Sequence, residues 1–162
     1  MSDPRDRIAG AAARVADLAA PGMTASPRQH LTVLTCMDAR IDPQALLGLE
    51  RGDAHVIRNA GGLVTDDAIR SLAASQRALG TEEVIVVMHE GCGLLGASDD
   101  QFAAELAADG ADPPWRLGGF TDIDQTLRAG LERLRASAEL PRRDRIRGAV
   151  FDPETGALRE VE

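Results

Sequence analysis

Apolar positions along the chain recur in two rhythms, and their alternation defines the architecture. Short runs rich in β-branched residues, "LTVLT" at Leu31 to Thr35, "AHVIR" at Ala54 to Arg58 and "EVIVVM" at Glu83 to Met88, predict strands. The last is apolar on both faces, which predicts a central position in a parallel sheet. Between these runs the spacing changes to that of helices. Asp42-Pro43 caps a short helix through "DPQALLGL" that ends near Gly48. Thr65, Asp66 and Asp67 open a helix carrying Ile69, Leu72, Ala73 and Leu79, which Gly80 stops. Ser98 caps a helix running to about Asp109, and Thr121 with Asp122 caps another that carries Ile123, Leu127, Leu131 and Leu134. At the carboxyl end "GAVFD" and "ALREV" flank "PETG" and predict a closing hairpin or a pair of edge strands. Asp3 to Ala20 puts Ile8, Ala12, Val15, Ala16 and Ala19 on one helical face before Pro21-Gly22 ends it.

Strands alternating with helices specify an α/β fold. We expect a single domain over residues 1–162, with a mostly parallel central sheet in the order 2-1-3-4 plus a further edge strand, helices on its faces, and an N-terminal helical arm over 1–22. A length of 162 residues suits one such domain. Only 2% of residues are aromatic, with no Tyr, so the core is built from Leu, Val, Ile and Ala.

Charge removes some function classes. The formal net charge of −8 argues against nucleic acid or an anionic membrane surface as a partner. The densest basic stretch, Arg142, Arg143, Arg145 and Arg147, reads as a solvated face near a helix end. No apolar stretch approaches a membrane span, and the amino terminus lacks the pattern of a secretory signal, so the expected location is cytoplasmic. In a reducing compartment the two cysteines read as metal ligands, reactive thiols or core residues before they read as a disulfide.

The candidate chemistry follows from topology. Ligand sites in open α/β sheets lie at the carboxyl ends of strands, beside the point where strand order reverses. Cys36, Asp38 and Arg40 of "CMDAR" follow the first strand; His89 and Cys92 of "HEGC" follow the third. Two thiols, an imidazole and a carboxylate at one sheet end suit a tetrahedral zinc ion. Two thiolates already neutralise the dication, so the fourth ligand is expected to be exchangeable. Arg40 can take Asp38 in a bidentate pair and free that position for water, with Asp38 then orienting a zinc-bound hydroxide. From the residues alone, inert core thiols and a structural zinc with Asp38 permanently bound remain alternatives.

Three motifs in order, "CMDAR", "RNAGG" and "HEGCG", resemble the β-class carbonic anhydrase family in its compact bacterial form. The resemblance is strong from Leu31 to Cys92 and looser to Val161. It implies zinc held by Cys36, His89 and Cys92, with Asp38 as a fourth ligand or as the partner of hydroxide, and Arg40 completing a dyad with Asp38. The implied reaction is reversible hydration of carbon dioxide to bicarbonate and a proton, one zinc per chain, in a homodimer or dimer of dimers whose N-terminal arm packs on the partner subunit. The same family includes hydrolases of carbonyl sulfide and carbon disulfide, the alternative substrates. Departures from the family pattern are the absence of Tyr, and Glu90-Gly91 where many members carry a hydroxyl residue and an acid.

The remaining polar residues have plainer readings beside functional ones. Asn59, Ala60, Gly61 and Gly62 can line a substrate pocket or simply form the turn before a helix. Thr65, Asp66 and Asp67 read as caps, His30 and His55 as ordinary strand or surface residues with a proton-shuttle role as the sharper alternative, and Trp115 as a packing anchor.

Overall fold

The computed structural model describes residues 3–12 and 15–162. Five strands form one sheet in the order β2-β1-β3-β4-β5: β1 Leu31–Cys36, β2 Ala54–Asn59, β3 Glu83–His89, β4 Ile146–Phe151 and β5 Leu158–Val161. The first four are parallel, and β5 returns antiparallel along β4 as the closing hairpin. The observed order is the expected one. It places β1 and β3 side by side at the centre, where every residue of β1 is buried.

Helices α2 Pro43–Leu47, α3 Asp66–Leu79, α4 Asp99–Ala108 and α5 Ile123–Ala136 begin at the caps read from sequence, the last at Asp122. Asp42 accepts from the amides of Gln44 and Ala45, Thr65 from Ala68, Ser98 from Gln101 and Asp122 from Gln125, so each side chain satisfies an amide the first turn leaves unpaired. Leu72 of α3 and Leu127, Leu131 and Leu134 of α5 are buried with Leu34, Val84, Val86 and Val150 of the sheet in the main core. A second, smaller cluster sets Leu46, Leu47 and Leu49 around Leu31, Val33 and Val87. Near that cluster a groove of about 570 Å³, lined by Leu47, Ile85, Ala149 and Leu158 among others, stays open.

The arm departs from expectation. Helix α1 covers Pro4–Ala12, and Val15–Leu18 form a 3-10 turn; residues 13 and 14 of the predicted helix lie outside the described residues. No residue of α1 is buried. Ile8 and Val15 of the predicted face are 72% and 51% exposed, and Leu18 beside it 60%, so among the described residues these large apolar side chains are not covered.

Candidate metal centre

Sheet geometry gathers the candidate ligands. Cys36 is the last residue of β1 and His89 the last of β3, and these strands are neighbours, so both side chains leave the sheet at one carboxyl edge. Gly91, at φ +62°, then turns the chain in the left-handed region, and Cys92 returns to the same spot. The three potential ligand atoms of Cys36, His89 and Cys92 all lie within 4.8 Å of one another, and all three residues are buried.

The imidazole is set up as a ligand. His89 is 1% exposed, and its Nδ1 stands 2.9 Å from the carbonyl oxygen of Glu90. That contact requires Nδ1–H as donor and leaves the lone pair on Nε2. Nε2 has no hydrogen-bond partner, the one buried side-chain polar atom among the described residues in that condition. An orphaned buried acceptor is costly unless something else engages it. Burial, with Cys36 alongside, pushes the Cys92 thiol up, and a bound cation would reverse that balance by favouring the thiolate forms. Two soft thiolates and a borderline imidazole, buried together, fit zinc.

Asp38 lies beside this cluster, held by Arg40. The Arg40 Nε donates to Oδ1 at 3.0 Å and Nη2 to Oδ2 at 2.8 Å, while the Arg40 amide adds a bond to Oδ1 at 2.9 Å. Arg40 Nη2 also donates to Gly91 O at 3.1 Å, tying the β1 loop to the ligand loop. The side-chain and then the backbone hydrogen bonds from Arg40 hold the Asp38 carboxyl far below the usual carboxylate range. Asp38 Oδ2 nevertheless stands only 3.8 Å from His89 Nε2, close enough to face whatever that nitrogen binds.

Other residues sort themselves by their contacts. Asn59 closes its own loop, with Nδ2 donating to Leu63 O at 2.8 Å and Oδ1 accepting from Leu63 N at 2.9 Å. Gly61 and Gly62 are buried; a Cβ at Gly62 would stand 3.0 Å from Cys36 N and from Val87 O, so only glycine lets the turn lie against the ends of β1 and β3. Thr65 caps α3, Asp66 pairs with Arg133 and Asp67 with Arg70. His30 and His55 bond Gly80 O and Ser75 Oγ, at the other end of the strands. Trp115 leans on Phe102 at 6.4 Å between ring centroids but is 58% exposed, a weaker anchor than its size suggests.

Two contributors escape sequence reasoning. Glu90 acts through its backbone, holding His89 while its amide donates to Phe151 O at 2.8 Å. Arg58 donates from Nε to Cys36 O at 3.0 Å and from Nη2 to Asp38 O at 2.7 Å. Their partners are carbonyls, which every residue carries, so no residue pattern announces them. The "RNAGG" stretch, with Arg58 beside the turn, was the available signal.

Comparison with known proteins agrees with this geometry. A family model described as carbonic anhydrase matches residues 31–112, the span from β1 through α4. The chain is 44% identical over 136 residues to β-carbonic anhydrase 1 of Mycobacterium tuberculosis, covering 83% of each chain. It is 36% identical to a carbon disulfide hydrolase of Acidianus sp., covering 82% of this chain and 77% of that one. A crystal structure of carbonic anhydrase from Streptococcus mutans superposes with a TM-score of 0.88 at 37% identity, over 100% of this chain and 99% of that one. With the Cys36, His89 and Cys92 cluster at the carboxyl edge of a 2-1-3-4-5 sheet and relatives matched over most of their length, the chain belongs to the β-class carbonic anhydrase family.

Proposed function

We propose that the protein catalyses reversible hydration of carbon dioxide to bicarbonate and a proton, on zinc held by Cys36, His89 and Cys92, with Asp38 and Arg40 as a working dyad. The observation that carries this reading is the unpartnered Nε2 of buried His89, grouped with two thiols. Zinc supplies Lewis acidity that brings the ionisation of water toward neutral pH. The protein's own residues do the rest. Asp38, kept ionised by Arg40, is a hydrogen-bond acceptor only, so it orients the hydrogen of an attacking hydroxide and turns its lone pair toward the substrate. Attack forms one carbon–oxygen bond at the carbon of carbon dioxide and moves one C=O electron pair onto oxygen, giving bicarbonate; the proton released in regenerating hydroxide passes to solvent or buffer. Arg40, bonded to both Asp38 and Gly91, holds the carboxylate beside the cluster with both of its oxygens already paired.

Carbon disulfide is the second reading, favoured by relatives that bear the name carbon disulfide hydrolase at 36% identity. Stopped-flow assays of the zinc-loaded protein with each substrate separate the two. Fast proton release with carbon dioxide and slow sulfide release from carbon disulfide is the expected result; the reverse order assigns the site to the sulfur substrate.

We also propose a cytoplasmic homodimer. The arm's exposed Ile8, Val15 and Leu18 and the open groove lined by Leu47, Ile85, Ala149 and Leu158 are unpartnered apolar surfaces of one chain, and a second copy can cover each with the other. The two free cysteines suit a reducing compartment. Light scattering checks the assembly: Ile8→Glu with Leu18→Glu is expected to lower the molar mass toward one chain, and an unchanged mass contradicts the arm's role.

A further inference from the structure

We infer that Arg58 is a positioning residue that fixes the segment Cys36 to Asp38, setting where the Asp38 carboxylate stands. The inference rests on the dyad reading above and extends it. Arg58 lies near the end of β2, in register beside Thr35 of β1. Its guanidinium uses one planar edge to reach two carbonyls, Nε to Cys36 O at 3.0 Å and Nη2 to Asp38 O at 2.7 Å. A third bond, from Met37 N to Asn59 O at 2.8 Å, comes from the same strand. The segment that begins with one ligand and ends with the dyad carboxylate is therefore fastened to β2 at three consecutive residues.

Arg58 makes no ion pair among the described residues, in a chain with 26 Asp and Glu. Its recorded bonds, from Nε and Nη2, go to backbone carbonyls instead. Arg40 fastens the carboxylate end of Asp38 and Arg58 the carbonyl end, so the residue is gripped on both sides. Without the second grip the peptide can rotate, and the Asp38–Arg40 pair loses its fixed distance to His89 Nε2. The planar fork delivers both bonds from one rigid edge, whereas an ammonium is a point donor on a flexible stem and does not fix the two carbonyls relative to each other.

The experiment compares Arg58→Ala, Arg58→Lys and Asp38→Ala, each loaded with zinc and, separately, with cobalt, whose visible bands report the geometry of the ion's surroundings. Both Arg58 variants are expected to keep one metal per chain, to lose about tenfold in kcat/KM as for other outer-sphere changes, and to shift the cobalt bands. Millimolar guanidinium is expected to restore Arg58→Ala. Wild-type behaviour of Arg58→Lys would show that charge alone suffices, and wild-type behaviour of Arg58→Ala would show that the grip is idle; either overturns the inference. Should Arg58→Ala fail to fold, Arg58→Lys carries the test, since it keeps the stem and the charge. If Asp38→Ala collapses turnover while the Arg58 variants do not, only this inference falls; if Asp38→Ala turns over like wild type, the dyad reading falls first.

Discussion

The two ends of the sheet each gather polar groups around an imidazole, half-buried at the amino end and buried at the carboxyl end, and they satisfy those groups in opposite ways. At the amino end, Ser75 Oγ of α3 lies 2.7 Å from Thr32 Oγ1, 2.8 Å from Thr81 Oγ1 and 2.7 Å from His55 Nδ1. His55 Nε2 completes the set on Ala25 O at 2.7 Å, so both ring nitrogens are occupied. At the carboxyl end, His89 has one nitrogen on a backbone carbonyl and the other on nothing, beside two buried thiols. This network fastens α3 to β1 and β2, with Ser75 Oγ and both His55 ring nitrogens already engaged within the protein. An unsaturated one costs folding energy unless an ion completes it. Satisfaction, rather than residue type, separates scaffold from site.

The comparison breaks most visibly if the carboxyl end proves dispensable. Cys92→Ala is expected to abolish stoichiometric zinc, a loss exceeding the roughly 10–100-fold weakening typical of outer-sphere changes, and turnover with it; metal analysis after dialysis checks this. Asp38→Ala and Arg40→Ala come next. Each is expected to retain zinc and lose about 10²-fold or more in turnover, the scale of a lost proton-handling group, measured by stopped-flow hydration.

At the amino end the expectation inverts. Ser75→Ala removes the hub shared by Thr32, Thr81 and His55 and is expected to cost about 1–3 kcal/mol of stability, read from denaturant unfolding, with zinc content and turnover per folded molecule unchanged. A fall in turnover without unfolding would erase the contrast between the ends.

The smallest effect belongs to a clasp between the start of α4 and the loop before α5. Asp99 accepts from the amides of Gly118 and Gly119, each at 2.9 Å, and pairs with Arg116 at 3.0 Å. The Gly119 amide first, then Arg116, lowers its pKa below the ordinary 3.8. A lowered carboxyl pKa stabilises the fold above the unfolded value, and that contribution is lost as pH falls through the folded one. Asp99→Asn is therefore expected to lower the melting temperature slightly at neutral pH, with the difference from wild type vanishing on acidification below 3.8. A difference that grows in acid would contradict the assignment.

Much of the carboxyl end was legible in the chain. Strand patterning placed Cys36 and His89 at adjacent strand ends, and ligand chemistry did the rest, because a metal site is written in side-chain identities. The fastening of that site was not. Arg58 and Glu90 act on or through carbonyls, which no residue code displays. The amino-end network was equally hidden, since Thr32, Ser75 and Thr81 read individually as ordinary strand, helix and loop hydroxyls until α3 packs across β1. The arm fell between. Its apolar spacing predicted one helix over 3–20, whereas the described residues are α-helical over Pro4–Ala12 and 3-10 over Val15–Leu18, and their large apolar side chains are exposed, because periodicity records a face without recording what covers it.

The most direct measurement is zinc X-ray absorption on the purified protein. Two sulfur scatterers at about 2.3 Å with an imidazole nitrogen at about 2.0 Å are expected, from Cys36, Cys92 and His89. A first shell with fewer than two sulfurs, or without imidazole, would contradict the assignment of the unpaired His89 Nε2 and its thiol neighbours as the metal centre.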